Sequence, residues 1–156
     1  MTGKPTSGTG PLFCAVERVF SADPTRVWAL VADPARVGEW AAVEAVGYLG
    51  TELPKVGQIV FIRTRRWQSP THARRVEIEA WDAGSGYRCN VEIGRVATSI
   101  SFELRVIPEV TGDGVVSRVR LAQRLELPPA YVSLLRRHLS RQLERKLDRI
   151  GRVVGK

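Results

Sequence analysis

Two Asp-Pro pairs, Asp23-Pro24 and Asp33-Pro34, follow directly on an apolar, strand-like segment and fix how the chain can leave it. An aspartate so placed accepts backbone N–H bonds as an N-cap, and the proline behind it supplies the φ of a first helical residue. The residue before a proline avoids the α region, so the first helix is expected to stop near Ala32. Two short helices set back to back result, with Trp28 and Trp40 as apolar anchors. Such a hinge supports an open sheet without filling its concave face, and an unfilled concave face is a pocket.

Leu12 to Phe20, rich in apolar and β-branched residues, reads as the first strand. From Val43 onward the pattern is period-two alternation broken by Gly, Pro and Asp, the mark of an antiparallel meander. Strands are expected near 43–50, 57–67, 71–81, 86–93, 97–108 and 115–127. In the last two, Ile100, Phe102, Leu104 and Val106, then Val119, Leu121, Leu125 and Leu127, alternate with polar residues, so one face of the sheet is dry and the other wet.

Pro128-Pro129 ends the last strand and opens a long helix. Tyr131, Leu135, Leu139, Leu143 and Leu147 recur every four residues in it, Leu134 and Ile150 widen the stripe, and Gly151 is the expected stop. A helix with one apolar stripe and a sheet with one apolar face bury them against each other. The expected order is one strand, two small helices, six strands and a long helix.

The 156 residues, 44% of them hydrophobic, suffice for one domain with a substantial core. Residues 1–11 are expected to form a disordered tail and 12–156 a single domain. No apolar run reaches the roughly 20 residues that span a bilayer, and the first ten residues lack a signal-peptide core, so the expected location is the cytoplasm. Cys14 and Cys89 follow no metal spacing and are expected to be buried small hydrophobes. The net charge of +8 is concentrated at the end of the chain, where residues 130–156 hold eight basic and two acidic residues. Either a solvated helix surface or a face for phosphates or anionic lipid explains it.

The element order, with Val27-Trp28, Asp33-Pro34 and Trp40 at their spacings, resembles the helix-grip fold of the SRPBCC superfamily, which includes the START-like and birch-pollen-allergen-like proteins. The most specific portion of the resemblance, Val19–Trp28 through Asp33–Trp40, is similar to the polyketide cyclase/dehydrase-like branch. The resemblance covers roughly residues 12–153. It implies an α+β fold, a seven-stranded curved antiparallel sheet gripping the C-terminal helix, with a hydrophobic cavity between them. Members bind lipids, sterols, quinones, polyketides or plant hormones, and only some are enzymes, so the resemblance gives a ligand class and no reaction.

No nucleophile elbow, phosphate-binding glycine loop or metal-ligand cluster is present, and neither cofactor nor metal is expected. Catalysis would fall to isolated polar groups on the dry phase of the strands. Arg74 and His72 share a phase with Val76 and Ile78; Arg63 shares one with Ile59 and Phe61; Gln123 interrupts Leu121 and Leu125; Tyr87 and Cys89 form another row. Arg74 is the first choice, since a guanidinium fork suits an enolate, carboxylate or carbonyl, against an internal ion pair or a wet strand end. His72 can move a proton near neutrality, and Tyr87 can polarise a carbonyl, against a water-facing position for each. Phe61, Arg63, Val76, Ile78, Trp81, Cys89, Phe102, Leu104, Gln123, Leu135 and Leu139 are the expected ligand contacts. His138 and Gln142 either edge the mouth of the pocket or face solvent, with solvent favoured.

Three functions compete. The first is a binding protein for a polyketide, isoprenoid, quinone or lipid-like molecule. The second is an aromatase/cyclase acting on a poly-β-ketone through Arg74, His72 and Tyr87. The third, behind both, is an interaction protein whose basic helix meets RNA, a ribosome or an anionic membrane. A monomer or a dimer is expected.

Overall fold

A computed structural model describes residues 10–49, 56–64, 74–92 and 100–155. The strands are β1 (Gly10–Phe20), β2 (Val43–Leu49), β3 (Ile59–Thr64), β4 (Arg74–Asp82), β5 (Gly86–Val91), β6 (Ile100–Thr111) and β7 (Gly114–Leu127). Between β1 and β2 run α1 (Pro24–Val31), a 3-10 turn (Pro34–Arg36) and the single-turn α2 (Val37–Trp40); α3 (Pro129–Val154) closes the chain. All strand pairs are antiparallel, in the order β1-β7-β6-β5-β4-β3-β2. The helix-grip architecture is present with its seven strands.

Both Asp-Pro devices work as the sequence dictates. The Asp23 carboxylate accepts from the Thr25 N–H at 2.7 Å, that of Asp33 from the Ala35 N–H at 2.9 Å, and α1 ends at Val31 with Ala32 as its C-cap. Several boundaries differ from expectation, among them the start of β1 and the end of β6, which runs on to Thr111. β1 already includes Gly10 and Pro11, and a proline is accommodated because β1 is an edge strand. Pro108 is tolerated within β6 because β5 pairs only as far as Arg105; beyond it β6 has β7 alone as a partner.

The helix α3 does not stop at Gly151 but runs to Val154. Gly151 serves a different purpose, since a Cβ there would lie 2.9 Å from Cε1 of Phe20, so its bare backbone is what lets helix and strand approach. The apolar stripe also differs. Tyr131 is 48% and Leu134 73% exposed, while Leu139, Leu143, Leu147, Ile150 and Val154 are buried and Val132 and Leu135 are half-buried against the core. A strict four-residue repeat drifts by about 40° per step on a helix of 3.6 residues per turn. The buried row corrects that drift by mixing three- and four-residue steps, which leaves Tyr131 outside it.

Contacts along β1 set the direction of α3. The Cys14 thiol donates to the Arg136 carbonyl at 3.7 Å, the Arg18 guanidinium grips Glu144 and Asp148, and Phe20 meets Gly151. The helix therefore runs alongside β1 in the same direction. At the far end the buried Ser117 hydroxyl donates to the Ala22 carbonyl at 2.7 Å, tying β7 to the start of α1. The other sheet face is wet and laced with cross-strand ion pairs, among them Arg88 with Glu79 and Arg118 with Glu17 and Glu109.

Candidate functional site

Residues directly opposite in an antiparallel pair share a face, so the register builds the concave surface row by row. One row is Val60, Val76, Val91, Ile100, Leu125 and Leu12. The next is Ile78, Cys89, Phe102, Gln123 and Cys14, and beyond it lie Trp81, Tyr87, Leu104, Leu121 and Val16. Gln123 is the one amide in these rows. Its Oε1 is buried, with no hydrogen-bond partner among the described residues.

Most of the expected contacts therefore share one face: Val76, Ile78, Cys89, Phe102, Leu104 and Gln123 on the sheet, with Leu139 buried and Leu135 half-buried on α3. Trp81 joins them through a bulge between Ile78 and Ala80, which flips the alternation and sets Trp81 opposite Tyr87. Phe61 and Arg63 need correction. On β3 it is Val60 that is buried and Ile62 that packs on the core, so Phe61 and Arg63 lie on the opposite phase. Ile59-Val60-Phe61-Ile62 is apolar throughout and carries no alternation to read; pairing of Val60 with Val76 decides it.

The proposed catalytic groups fare differently. His72 lies outside the described residues. Arg74 keeps the phase of Val76 and Ile78, but it is the first residue of β4 and is exposed, a wet strand end and not a dry wall. Tyr87 is not water-facing: its hydroxyl donates to the Val31 carbonyl at 2.9 Å, satisfying one of the acceptors left open at the end of α1. Burial holds that phenol well above its usual range. Burial, with the Glu79 charge adding to it, pushes the Cys89 thiol up to about 12, so it stays protonated. Among the described residues no group of three His, Cys, Asp or Glu side chains is placed to hold a metal ion.

The rings divide the concave face. Trp28, Trp81 and Tyr87 form a cluster, with centroids 5.2 Å apart for Trp28–Trp81 and 5.3 Å for the stacked Trp81–Tyr87 pair. That cluster plugs the row under α1. Trp40, 3% exposed, stacks on Phe102 at 6.4 Å with its indole Nε1 buried and unpaired among the described residues. The sequence marked Trp40 as an anchor but gave no sign of this orphan donor. His138 is exposed and pairs with the half-buried Gln142 at 3.0 Å.

The model of the family described as polyketide cyclase / dehydrase and lipid transport matches residues 14–155. The chain belongs to that family. This polyketide cyclase/dehydrase and lipid-transport family lies within the SRPBCC superfamily, and solved structures agree on the fold. Norcoclaurine synthase from Thalictrum flavum, in complex with dopamine and hydroxybenzaldehyde, is similar at 16% identity and TM-score 0.67, with 99% of this chain and 94% of that one covered. A protein from Chromobacterium violaceum, CV1439, gives 14% identity and TM-score 0.64 over 92% and 97% of the two chains. Ara h 8.0201 gives 13% and 0.66 over 93% and 98%. No curated protein sequence matches this family member. Among the described residues, no helix is long and apolar enough to cross a membrane.

Proposed function

We propose that the chain binds an apolar small molecule, of polyketide, isoprenoid or lipid-like character, between the concave face of the sheet and α3. Family membership supports the ligand class. One observation carries the reading: the apolar rows converge on Gln123, whose buried oxygen lacks a protein partner among the described residues. Buried amides are nearly always hydrogen-bonded, so an unmatched one on an apolar wall marks a place for a bound group. Arg74, on the same phase at the exposed end of β4, is the proposed contact for a ligand carbonyl or carboxylate.

Binding is favoured over turnover because the Tyr87 hydroxyl is committed to Val31. Native mass spectrometry and thermal-shift screens against polyketides, quinones, sterols and fatty acids test the reading. A ligand that raises the melting temperature and loses affinity on Arg74→Leu supports it; absence of any binder across the four classes overturns it. Turnover of a poly-β-ketone that is abolished by Arg74→Leu would instead establish the aromatase/cyclase reading.

A second reading has its own observation. Arg18 engages both Glu144 and Asp148, the only acidic residues of α3, and Arg137, Arg141 and Arg145 stay exposed with no acidic partner among the described residues. This ridge suits an anionic surface, RNA or lipid. Co-sedimentation with anionic vesicles and RNA gel shifts, each at low and high salt, test it, and no binding at low salt removes it.

A further inference from the structure

Two complementary polar atoms border Phe102. The Trp40 indole, stacked on that ring, carries a buried Nε1 that can only donate; Gln123, directly across the strand pair from Phe102, buries an Oε1 that can only accept. Neither has a hydrogen-bond partner among the described residues. An unpaired buried group costs more than a formed bond contributes, and here the two unmet needs have opposite sense beside one ring. A hydroxyl, which accepts through its oxygen and donates its proton, matches both needs.

We propose that Trp40 and Gln123 form a hydroxyl-recognition subsite that selects ligands carrying an alcohol, enol or phenol on an otherwise apolar scaffold. The ligand oxygen accepts from the Trp40 N–H and its proton is donated to Gln123. The inference rests on the ligand-binding reading above and names which ligand the site prefers. A plain ketone would satisfy Trp40 and leave Gln123 unmet. A carboxylate would set a negative oxygen against the amide oxygen. A hydrocarbon would leave both atoms empty. Neighbouring Ile78 and Cys89 add no competing charge, since burial keeps the Cys89 thiol neutral.

Fluorescence titration with 2-naphthol, 2-methoxynaphthalene and naphthalene tests this on the full chain and on Trp40→Phe and Gln123→Leu. The parent protein is expected to hold 2-naphthol about tenfold or more tighter than either analogue, as one or two buried hydrogen bonds supply. Gln123→Leu should bring 2-naphthol to within about threefold of 2-methoxynaphthalene, Trp40→Phe should weaken 2-naphthol while keeping its lead over 2-methoxynaphthalene, and both should retain naphthalene. Gln123→Leu removes the unpaired oxygen in favour of an apolar side chain of broadly similar size and carries the test alone where Trp40→Phe fails to fold. A preference for 2-naphthol over 2-methoxynaphthalene that survives Gln123→Leu overturns the subsite, as does equal binding of all three probes by the parent. Equal binding would leave the apolar-site reading standing. Binding of none of them overturns the subsite, and the sterol and fatty-acid screen then decides the broader reading separately.

Discussion

The Tyr87 hydroxyl donates to the Val31 carbonyl at 2.9 Å, so a strand in the middle of the sheet is latched to the last residue of α1. A side chain with the chemistry of a general acid is thereby used as a cap. Tyr87→Phe should leave the fold and the Trp28–Trp81 contact in place and strand a buried carbonyl. The expected loss is about 1–3 kcal/mol, or a fall in Tm of roughly 2–12 °C at this chain length. Calorimetry on the variant checks it.

Cys89 and Tyr87 are both held neutral by burial. The unfolded chain releases these protons from about pH 9 upward while the folded chain keeps them, so above that pH the unfolded state binds fewer protons and stability falls. The contribution is complete below pH 9 and is lost as pH climbs toward 12. Moving the Cys89 thiol from 9.0 to about 12 corresponds to about 4 kcal/mol. Urea midpoints measured from pH 7 to 11 should decline steeply above pH 9, and Cys89→Ala should flatten that decline even though it lowers stability at pH 7.

Lys146 gives the opposite dependence. Burial, aided by the Arg149 charge, lowers its ammonium to about 8 from 10.5, so at neutral pH the folded protein carries a half-buried cation it would rather discharge. The penalty is full below pH 8 and disappears as pH rises to 10.5, because in that window the unfolded chain binds more protons. Lys146→Met should therefore stabilise the protein at pH 7, by about 1–3 kcal/mol, and the gain should shrink toward zero by pH 10.5. A gain that does not vary with pH would assign the effect to packing.

Gly151 packs a bare backbone against Phe20. Alanine in a helix interior is ordinarily worth about 1 kcal/mol over glycine. Here Gly151→Ala is expected to lose that advantage and destabilise by about 1 kcal/mol as the Phe20 ring is displaced. In a Phe20→Leu background the same change should become stabilising. A double-mutant cycle by chemical denaturation reads the sign reversal directly.

Much of this architecture was written locally. The Asp-Pro pairs predict both caps, and the alternation in β6 and β7 predicts their buried face residue by residue. Local patterns failed where two faces look alike or where a partner elsewhere decides. The run from Ile59 to Ile62 could face either way until Val60 met Val76. Trp81 reaches the concave side only because a bulge intervenes. Gly151 had the chemistry of a helix stop and the job of a close approach, because what lies opposite it is Phe20. For the site, alternation singled out Gln123 but could not show that its oxygen goes unmatched, and nothing local announces that Tyr87 finds Val31 or that Trp40 lacks an acceptor.

The pairing of β1 with β7 has a consequence for how the molecule comes into being. The first strand lies at the sheet edge and hydrogen-bonds only to the last, Gly10 opposite Leu127 and Phe20 opposite Ser117, and α3 then lies along that same strand. Closing so long a loop costs entropy before any contact repays it, and such topologies assemble slowly. During synthesis the meander from β2 to β6 can form while β1 still waits, its apolar side unmatched, for a partner not yet made. Assembly is thus gated from the far end of the chain, and a nascent chain halted before Ser117 would hold β1 as an unpaired, aggregation-prone strand.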